Sequence, residues 1–353
     1  MKRKIDGDNA IAAVWGGAVL GGGGGGHVDA GLRAAEEALN VGSVELWSLD
    51  ELKDDHLAAT VALVGTPSSP TAHVLPEHGV RAFELLAAGI PESRRPVAIN
   101  TNENGPETTV NGWYQAAATG LPVLDFACNG RAHPTGLMGA MGLHQHAGYV
   151  SRQGFSGGDE AHYLEGTVSG GLESASRLVR QASIDAGGFI AVCRNPVTIG
   201  YAAAHGARGA ISAAMEIGTI LLEHGVSVLV DRMGGRIVAE GRVARYRCEA
   251  ADGLDVGEIA LDDSAATVLP FVNEYMLVEQ AGSAIAHFPD LICTFADGRP
   301  VVSARVEPGL EVTVAVIPRE RLLLSRTMAM SDLYRPVERL IGRPVFHDSS
   351  LPG

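Results

Sequence analysis

Residues 96–133, PVAINTNENGPETTVNGWYQAAATGLPVLDFACNGRAH, contain the strand–helix–strand pattern that decides the fold. Two apolar runs, residues 96–99 and 121–124, are predicted to be short buried strands, and residues 111–119 are predicted to form the helix between them. The same alternation begins upstream, where residues 44–49 and 60–64 are predicted strands. Alternation of this kind is typical of a mostly parallel sheet with helices on its faces, so the sequence predicts an α/β fold here.

Five chemically active side chains follow the strand at residues 121–124, and they are Asp125, Cys128, Asn129, Arg131 and His133. They are predicted to lie in the loop beyond the carboxyl end of that strand, the edge at which open α/β sheets bind ligands. Cys128 and His133 are candidates for a nucleophile and its base, or for metal ligands. Asp125, Asn129 and Arg131 are candidates for holding a polar substrate. The same residue types also occur in ordinary surface loops.

A second polar segment, Asn102-Glu103-Asn104, follows the strand at residues 96–99. Because neighbouring parallel strands end at the same edge of a sheet, we expect it to lie near the first polar segment. Two interpretations stay open for these residues. They either contact the substrate or supply the side-chain hydrogen bonds of a turn.

Six consecutive glycines, Gly21 to Gly26, precede a stretch with helical periodicity that starts at Val28. A glycine loop at a helix N-terminus presents free N–H groups, and the helix dipole favours an anion there. Gly23, Gly24, Gly25 and Gly26 are therefore predicted to bind a carboxylate or another small anion. The loop has neither a Walker lysine nor a clear GxGxxG motif, so no nucleotide is expected. A flexible turn that permits close helix packing is the alternative, and His27 is either a ligand or a polar first-turn residue.

The second half of the chain changes its pattern. After a helix at residues 172–183 and a strand at 189–193, His205 and Arg208 precede a helix predicted at residues 210–223, where they either complete a site shared between domains or have a structural role. From residue 226 onward short alternating runs predict antiparallel strands. We therefore expect two domains, an α/β domain at residues 1–168 and a mainly β domain at 169–353 that covers the cleft. Residues 142–171 are predicted to be a mobile loop or lid followed by a linker.

Composition limits the classes of partner. The net charge of −14 argues against nucleic acid or an anionic membrane surface, and no apolar run approaches the ~20 residues that cross a bilayer. The amino-terminal residues have charges but no apolar signal-peptide core, so a cytoplasmic location is expected. The four cysteines are far apart, which favours reduced thiols. A small-molecule substrate and a homo-oligomer are expected.

Several of these motifs resemble one known family. The glycine block at residues 20–26, the runs Val44-Glu45-Leu46 and Gly120 to Asp125, and Gly130-Arg131-Ala132-His133-Pro134 resemble the N-terminal domain of the S-methyl thiohydantoin desulfurase family. Asn273-Glu274-Tyr275 and Pro289-Asp290-Leu291-Ile292 resemble its C-terminal domain. The family pattern has a Gly-Asp-Pro-like end to the glycine loop and a Phe-Pro after Gly-Arg-Ala. This chain has His27-Val28-Asp29 and His133-Pro134 instead, which makes the two histidines candidates for chemistry.

The resemblance implies a hydrolase that removes methanethiol, or sulfide, from a thiohydantoin-type five-membered ring and leaves a hydantoin. Two routes fit the residues. In one, zinc or another divalent metal held by some of His27, Cys128, His133 and His205 activates water. In the other route, Cys128 attacks as a thiolate, and Arg131 or protonated His133 lowers the pKa of its thiol. A carboxylate of the substrate would dock on the glycine loop, and Asp125 or Glu103 would bond the ring nitrogens.

A different class of function is also compatible with these residues. The same cleft would suit a non-catalytic protein that binds a small ligand, or a partner subunit of a hydantoinase-type amidohydrolase. Thiol release from an S-methyl thiohydantoin separates the enzyme from both alternatives.

Overall fold

The computed structural model describes residues 1–65, 69–251 and 253–347. The helices are α1 (Gly7–Leu20), α2 (Val28–Val41), α3 (Pro76–Ala88), α4 (Trp113–Thr119), α5 (Leu172–Asp185), α6 (Ile199–His205), α7 (Ala210–Arg232) and α8 (Arg335–Ile341). The strands of the first sheet are β1 (Lys2–Lys4), β2 (Glu45–Trp47), β3 (Leu57–Gly65), β4 (Ala98–Glu103), β5 (Val123–Asn129), β6 (Ser151–Gly157), β7 (Leu164–Gly170), β8 (Phe189–Thr198) and β9 (Ala207–Arg208). Those of the second sheet are β10 (Arg236–Ala251), β11 (Leu254–Asp262), β12 (Val268–Val272), β13 (Glu274–Tyr275), β14 (Leu277–Gln280), β15 (Ser283–His287), β16 (Leu291–Ala296), β17 (Arg299–Val301) and β18 (Glu311–Ile317).

The first sheet is mixed. Its strands β2, β5, β4 and β3 lie side by side in parallel, and β8, β6 and β7 extend the sheet beyond β3 in antiparallel pairing. The helices α1, α2, α4 and α7 pack on one face around Trp113 and Val123, while α5 and α6 cover the opposite face around Leu124 and Phe126. The second sheet is antiparallel throughout its described pairs, in the order β15-β14-β12-β11-β10-β18-β16-β17. The predicted fold class, α/β followed by a largely antiparallel part, is thus confirmed.

The polar residues after the predicted strands belong partly to the strands themselves. The strand β5 continues to Asn129 and β4 continues to Glu103, so the prediction that residues 125–133 form one loop is wrong for residues 125–129. The strands can continue because their polar side chains find hydrogen-bond partners inside the protein, which removes the cost of burying them. The carboxyl ends of β3, β4 and β5 still meet at one edge of the sheet.

Residues 142–171 are mostly not a lid. Residues 151–157 and 164–170 form the antiparallel hairpin β6–β7, which continues the first sheet next to β8. The glycines that suggested mobility permit close packing instead, since a Cβ on Gly154 would lie 2.3 Å from the carbonyl oxygen of Ala82 in α3. The first sheet therefore extends to β8 and β9, past residue 168.

The long helix α7 connects the two sheets. It continues to Arg232 through a non-helical Gly225, so the prediction that antiparallel strands begin at residue 226 is wrong, and the first of them begins at Arg236. It packs closely against α1, because a Cβ on Gly16 would lie 1.7 Å from the carbonyl oxygen of Ala214. Among the described helices, α7 is the one whose length and hydropathy would suffice to cross a membrane.

The glycine loop that follows α1 is held between the two sheets. The backbone N–H of Tyr275 donates to the carbonyl of Gly22, and that of Ser303 donates to the carbonyl of Gly23, each at 2.8 Å. On the other side, the N–H of Ala132 donates to the carbonyl of Leu20 at 3.3 Å. The loop is therefore fixed by backbone contacts from both halves of the chain.

Candidate functional site

A cavity of about 530 Å³ lies between the two sheets, and we call it the intersheet cavity. It opens at the carboxyl ends of β3 and β4, where the edge rule for α/β sheets places ligands. Its volume is within the range of about 300–1,000 Å³ that holds small molecules. Its walls include the glycine loop with His27, the ends of β3 and β4, residues 133–136, Arg180, Arg194, residues 253–255 and 273–274, and residues 302–305.

The glycine loop, whose residues 23–26 were predicted to bind a small anion, forms one wall of the cavity. Gly23, Gly25 and Gly26 have φ values of 98°, 78° and 91°, a conformation that favours glycine. A Cβ on Gly24 would lie 2.0 Å from Oε1 of Glu274. Within the described residues, the N–H groups of Gly23, Gly25 and Gly26 donate no hydrogen bond.

A carboxyl group of the chain already occupies the neighbourhood of this loop. A Cβ on Gly26 would lie 2.5 Å from Oε2 of Glu107. Burial raises the pKa of Glu107, and the backbone N–H of His27 opposes that rise. Glu107 therefore takes the position at the start of α2 that the sequence assigned to a ligand carboxylate.

Glu103 and His133 form a buried pair in the intersheet cavity. Oε2 of Glu103 lies 3.1 Å from Nε2 of His133 and accepts a 3.3 Å hydrogen bond from the backbone N–H of the same histidine. The amide nitrogen of Asn102 lies 3.1 Å from the same Nε2. Burial raises the pKa of Glu103 to about 8, and burial together with the charge of Arg194 lowers the pKa of His133 to about 3. Both shifts favour the uncharged forms, in spite of the ion-pair distance, because a buried charge is costly.

A second buried carboxyl group, Glu274, reaches the cavity from the second sheet. Burial raises the pKa of Glu274 well above its usual range, and the neighbouring Glu103 raises it further. Its Oε2 is buried and has no hydrogen-bond partner among the described residues. Two carboxyl groups that hinder each other's ionisation titrate as a pair and can serve as acid and base.

His27 also lines the cavity, where it directly precedes α2. It is half-buried, and burial followed by the charge of Arg305 lowers its pKa. The cavity thus brings together the predicted site residues Gly23 to Gly26, His27, Asn102, Glu103 and His133.

Cys128 lies outside the cavity walls. It is buried in the apolar cluster of Leu124 and Phe126, with its sulfur 3.3 Å from the hydroxyl of Thr60 and 3.5 Å from the amide nitrogen of Asn100. Burial raises the pKa of this thiol, which disfavours the thiolate that a nucleophile requires.

Asp125, Asn129 and Arg131 make contacts within the fold. The carboxylate of Asp125 accepts hydrogen bonds from the N–H groups of Ile211 and Ser212 at the start of α7, at 3.0 and 2.9 Å. The amide of Asn129 bonds the backbone of Arg131 and of Ser325. Their polarity serves helix capping and loop fixation, which sequence alone does not distinguish from substrate binding.

Arg131 connects the two halves of the chain. Its Nη1 donates to the carbonyls of Pro289 and Asp290, at 3.2 and 2.6 Å, and its guanidinium lies 4.5 Å from the ring centre of Phe288. It is fully buried, and Nη2 has no partner among the described residues. This arginine is held beside the loop without lining the cavity.

Arg208 and His205 also lie apart from the cavity. Arg208 is exposed and pairs with Asp50 at 2.7 Å. The ring of His205 stacks on that of Tyr201 at a centroid distance of 4.0 Å, and its Nδ1 lies 2.9 Å from the carbonyl oxygen of Tyr201. Neither of these two side chains therefore contributes to a shared site at the cavity.

The four predicted metal ligands do not converge. His27 and His133 line the cavity, whereas Cys128 is in the core and His205 stacks on Tyr201. Across residues 1–65, 69–251 and 253–347, no group of three His, Cys, Asp or Glu side chains is arranged to hold a metal. Zinc sites need three or four protein ligands around one point, so this set does not fit zinc in the present arrangement.

The cavity residues that were missed from sequence include Glu107, Arg194 and Glu274. Glu274 is the one acidic residue in the apolar run 268–278, and a lone carboxylate in such a run indicates either a buried partner or a site. Arg194 follows the apolar run of β8 in the same way. Neither residue is near the glycine loop in sequence, so their convergence depends on how the sheets meet.

Comparisons with known proteins agree with this architecture. A solved X-ray crystal structure of a protein from Chromobacterium violaceum is similar over 96% of this chain and 97% of its own, with a TM-score of 0.73 and 18% identity, which shows the fold alone. No curated protein matches the chain. Residues 10–151 match the family model for the S-Me-THD-like N-terminal domain, and residues 172–331 match that for the S-Me-THD-like C-terminal domain. Since the two matches span most of the sequence, the chain belongs to the S-Me-THD-like family.

Proposed function

We propose that this chain is a hydrolase that removes methanethiol, or sulfide, from a thiohydantoin-type five-membered ring and leaves a hydantoin. The family supports a desulfurase-type activity. The observation that carries the proposal is the pair of buried carboxyl groups, Glu103 and Glu274, which reach one cavity from different sheets. Such a pair supplies an acid and a base at the same point.

The reaction needs one proton acceptor and one proton donor. For the S-methyl substrate, water attacks C2 of the ring, a C–O bond forms, and a water proton passes to the base. The acid protonates the ring nitrogen as the C=N bond becomes single. The C2–S bond then breaks, the departing sulfur takes a proton, and the new C2 hydroxyl loses its proton to give the carbonyl. Water and substrate are thereby converted to hydantoin and methanethiol without an oxidant or reductant.

We assign the base to Glu103 and the acid to Glu274. A pKa of about 8 lets part of the Glu103 population ionise near neutral pH while its conjugate acid stays weak, which suits a general base. Burial holds the pKa of Glu274 well above its usual range, so this carboxyl group keeps its proton for donation. His133 and Asn102 orient Glu103 through the 3.1 Å contacts at Nε2. No metal and no thiolate is required in this scheme.

Thiol release tests the proposal directly. The purified protein is mixed with an S-methyl thiohydantoin in ¹⁸O-labelled water. A thiol-reactive dye measures the methanethiol released, and mass spectrometry measures the mass of the ring product. We expect catalytic thiol release and one ¹⁸O atom in the hydantoin. A protein that binds the ring, as calorimetry would show, but releases no thiol would overturn the proposal in favour of a non-catalytic binding protein or a partner subunit.

A further inference from the structure

Asn273, in the wall of the intersheet cavity, has an unusual backbone conformation. Its φ is 55°, in the left-handed region. Five other non-glycine residues of the described chain have a positive φ, and none of them lines this cavity. The left-handed region is costly for most side chains, and asparagine and aspartate tolerate it best after glycine. Where it occurs, the surrounding structure holds it, and such residues are frequent at active sites.

The chain reverses direction at Asn273. Val272 ends β12 and Glu274 begins β13, and these two residues are antiparallel partners in the second sheet. The direction in which the side chain of Glu274 leaves the bend therefore depends on the backbone angles of Asn273. Glu274 is the proposed acid, and its carboxyl group lies where a Cβ on Gly24 would be.

Hydrogen bonds from two separate segments hold Asn273 in this conformation. Its N–H donates to the carbonyl of Asp255 in β11 at 2.8 Å, and its side-chain Oδ1 accepts from the N–H of the same aspartate at 2.9 Å. Its carbonyl accepts from the hydroxyl of Ser303, whose own N–H donates to the carbonyl of Gly23. Asn273 is thus tied both to the second sheet and to the segment that fixes the glycine loop.

The carboxyl group of Glu274 is held less directly. It is buried, and its Oε2 has no hydrogen-bond partner among the described residues. The backbone on either side is fixed instead, by the bonds of Asn273 and by the N–H of Tyr275, which donates to the carbonyl of Gly22 at 2.8 Å. Burial is the main cause that raises the pKa of Glu274, the charge of Glu103 raises it further, and that of Arg131 lowers it. A carboxyl group that turned toward solvent would therefore lose its proton at a lower pH.

We infer that Asn273 is the positioning residue of Glu274: its left-handed backbone and its paired hydrogen bonds with Asp255 turn the carboxyl group into the intersheet cavity and keep it there. Asn273 transfers no proton itself. The inference rests on the proposed function for the role of Glu274 as the acid, whereas the direction of the carboxyl group is a property of the fold.

Three substitutions at position 273 test the inference. Asn273→Ala loses Oδ1 and the tolerance of a positive φ, so we expect kcat to fall by about 10²-fold, the cost of a small displacement of a reacting group. The high-pH limb of kcat/KM, where Glu274 loses its proton, should move to lower pH. Asn273→Gly keeps the backbone but loses Oδ1 and should be intermediate. Asn273→Asp keeps both features and should retain kcat close to wild type, with the limb at the wild-type pH or above because a negative charge is added.

The matched control is Asp297→Ala. Asp297 is an exposed residue between β16 and β17 with a φ of 49°, so its replacement brings the same backbone cost away from the cavity. We expect it to lower the melting temperature without changing kcat or the pH profile. Wild-type kcat and pH profile in both Asn273→Ala and Asn273→Gly would overturn the inference. A raised KM with unchanged kcat would also overturn it, because Asn273 would then contact the substrate instead.

A titration of Glu274 separates the inference from the proposed function. The carboxyl carbons of glutamate are labelled with ¹³C, the pKa is followed by NMR, and Glu274→Gln assigns the signal. We expect a lower pKa of Glu274 in Asn273→Ala than in wild type, and Asn273→Gly replaces that variant if it does not fold. An unchanged pKa would overturn the inference. If wild type releases no thiol, the proposed function fails and this titration alone decides whether Asn273 positions the carboxyl group.

Discussion

Oε2 of Glu103 and Nε2 of His133 lie 3.1 Å apart in a buried position where neither group is stabilised in its charged form. Two such atoms at this distance need one proton between them, on the carboxyl oxygen or on the imidazole nitrogen. The imidazole can therefore donate to Glu103 when that carboxyl is ionised and accept from it when it is protonated. This exchange of roles makes the pair suitable for moving a proton to and from a substrate.

Replacement of either carboxyl group by an amide should abolish most of the thiol release. We expect Glu103→Gln and Glu274→Gln each to lower kcat by about 10²–10⁴-fold, the usual contribution of a general base or acid. The amides have nearly the same shape and carry no buried charge, so folding should be retained. The measurement is the initial rate of methanethiol release, with the melting temperature as a check on folding.

The matched control for these variants is Glu311→Gln. Glu311 is an exposed residue of β18, paired with Arg242 on the surface, and its replacement should leave the rate unchanged. Wild-type rates in both Glu103→Gln and Glu274→Gln would show that the carboxyl pair has no part in the reaction.

The rate should depend on pH in a direction set by Glu103. Its pKa, raised by burial to about 8, means that most of the base is protonated and inactive below that pH. We therefore expect kcat/KM to rise as the pH increases toward 8 and to fall at higher pH, where Glu274 loses its proton. Glu103→Gln should lose the rising limb and keep a low residual rate. A wild-type rate that falls steadily from pH 6 to 8 would be inconsistent with Glu103 as the base.

The alternation of short apolar strands with helices was enough to predict the class of the first half of the fold. The antiparallel extension β8-β6-β7 was not predictable in the same way, because residues 151–170 have many small and polar residues and little apolar alternation. Their glycines serve close contact with α3 rather than mobility, and sequence periodicity does not separate these two uses. Contact with a distant helix decides whether such a glycine is mobile or closely packed.

The candidate site was predicted in part for a similar reason. Asn102 and Glu103 end β4, and His133 follows the neighbouring strand β5, so their position at one sheet edge follows from the strand order. Asp125 and Arg131 have the same local appearance but bond the backbone of distant elements, and Glu274 reaches the cavity from the other sheet. Local sequence shows that a polar residue is buried or near a strand end, whereas its partner is known only from the tertiary structure.

Cys128 provides a direct test between the thiolate route and the carboxyl route. Its thiol is buried beside Thr60 and Asn100, and burial raises its pKa, so we expect Cys128→Ala to keep kcat within about tenfold of wild type, because the general acid–base contribution stays intact. Loss of the buried sulfur should cost about 1 kcal/mol of unfolding free energy. Denaturant unfolding measures this change in the free energy of unfolding. A folded Cys128→Ala protein that has lost all thiol release, together with a covalent adduct seen by mass spectrometry of wild type, would favour the thiolate route.

Metal removal should leave the activity unchanged. The predicted ligands His27, Cys128, His133 and His205 do not meet at one point, and the proposed acid and base are side chains. We expect protein dialysed against a chelator to release thiol at the wild-type rate, with elemental analysis of the same sample to confirm that it is free of metal. Loss of activity that zinc restores would require the cavity side chains to rearrange around a metal.

Gly24 should be intolerant of even one added methyl group. A Cβ at this position would lie 2.0 Å from Oε1 of Glu274 and 2.6 Å from its carboxyl carbon, so Gly24→Ala must displace the proposed acid. We expect kcat to fall by about 10²-fold or more, as for loss of a general acid, together with a lower melting temperature. Gly7→Ala is the matched control, because a Cβ on Gly7 would meet no atom within 4 Å. If Gly24→Ala folds with wild-type stability but loses activity, the loss comes from Glu274, and a crystal structure should show its carboxyl group moved out of the cavity. Full activity in a Gly24→Ala protein whose Glu274 has moved would mean that the acid lies elsewhere.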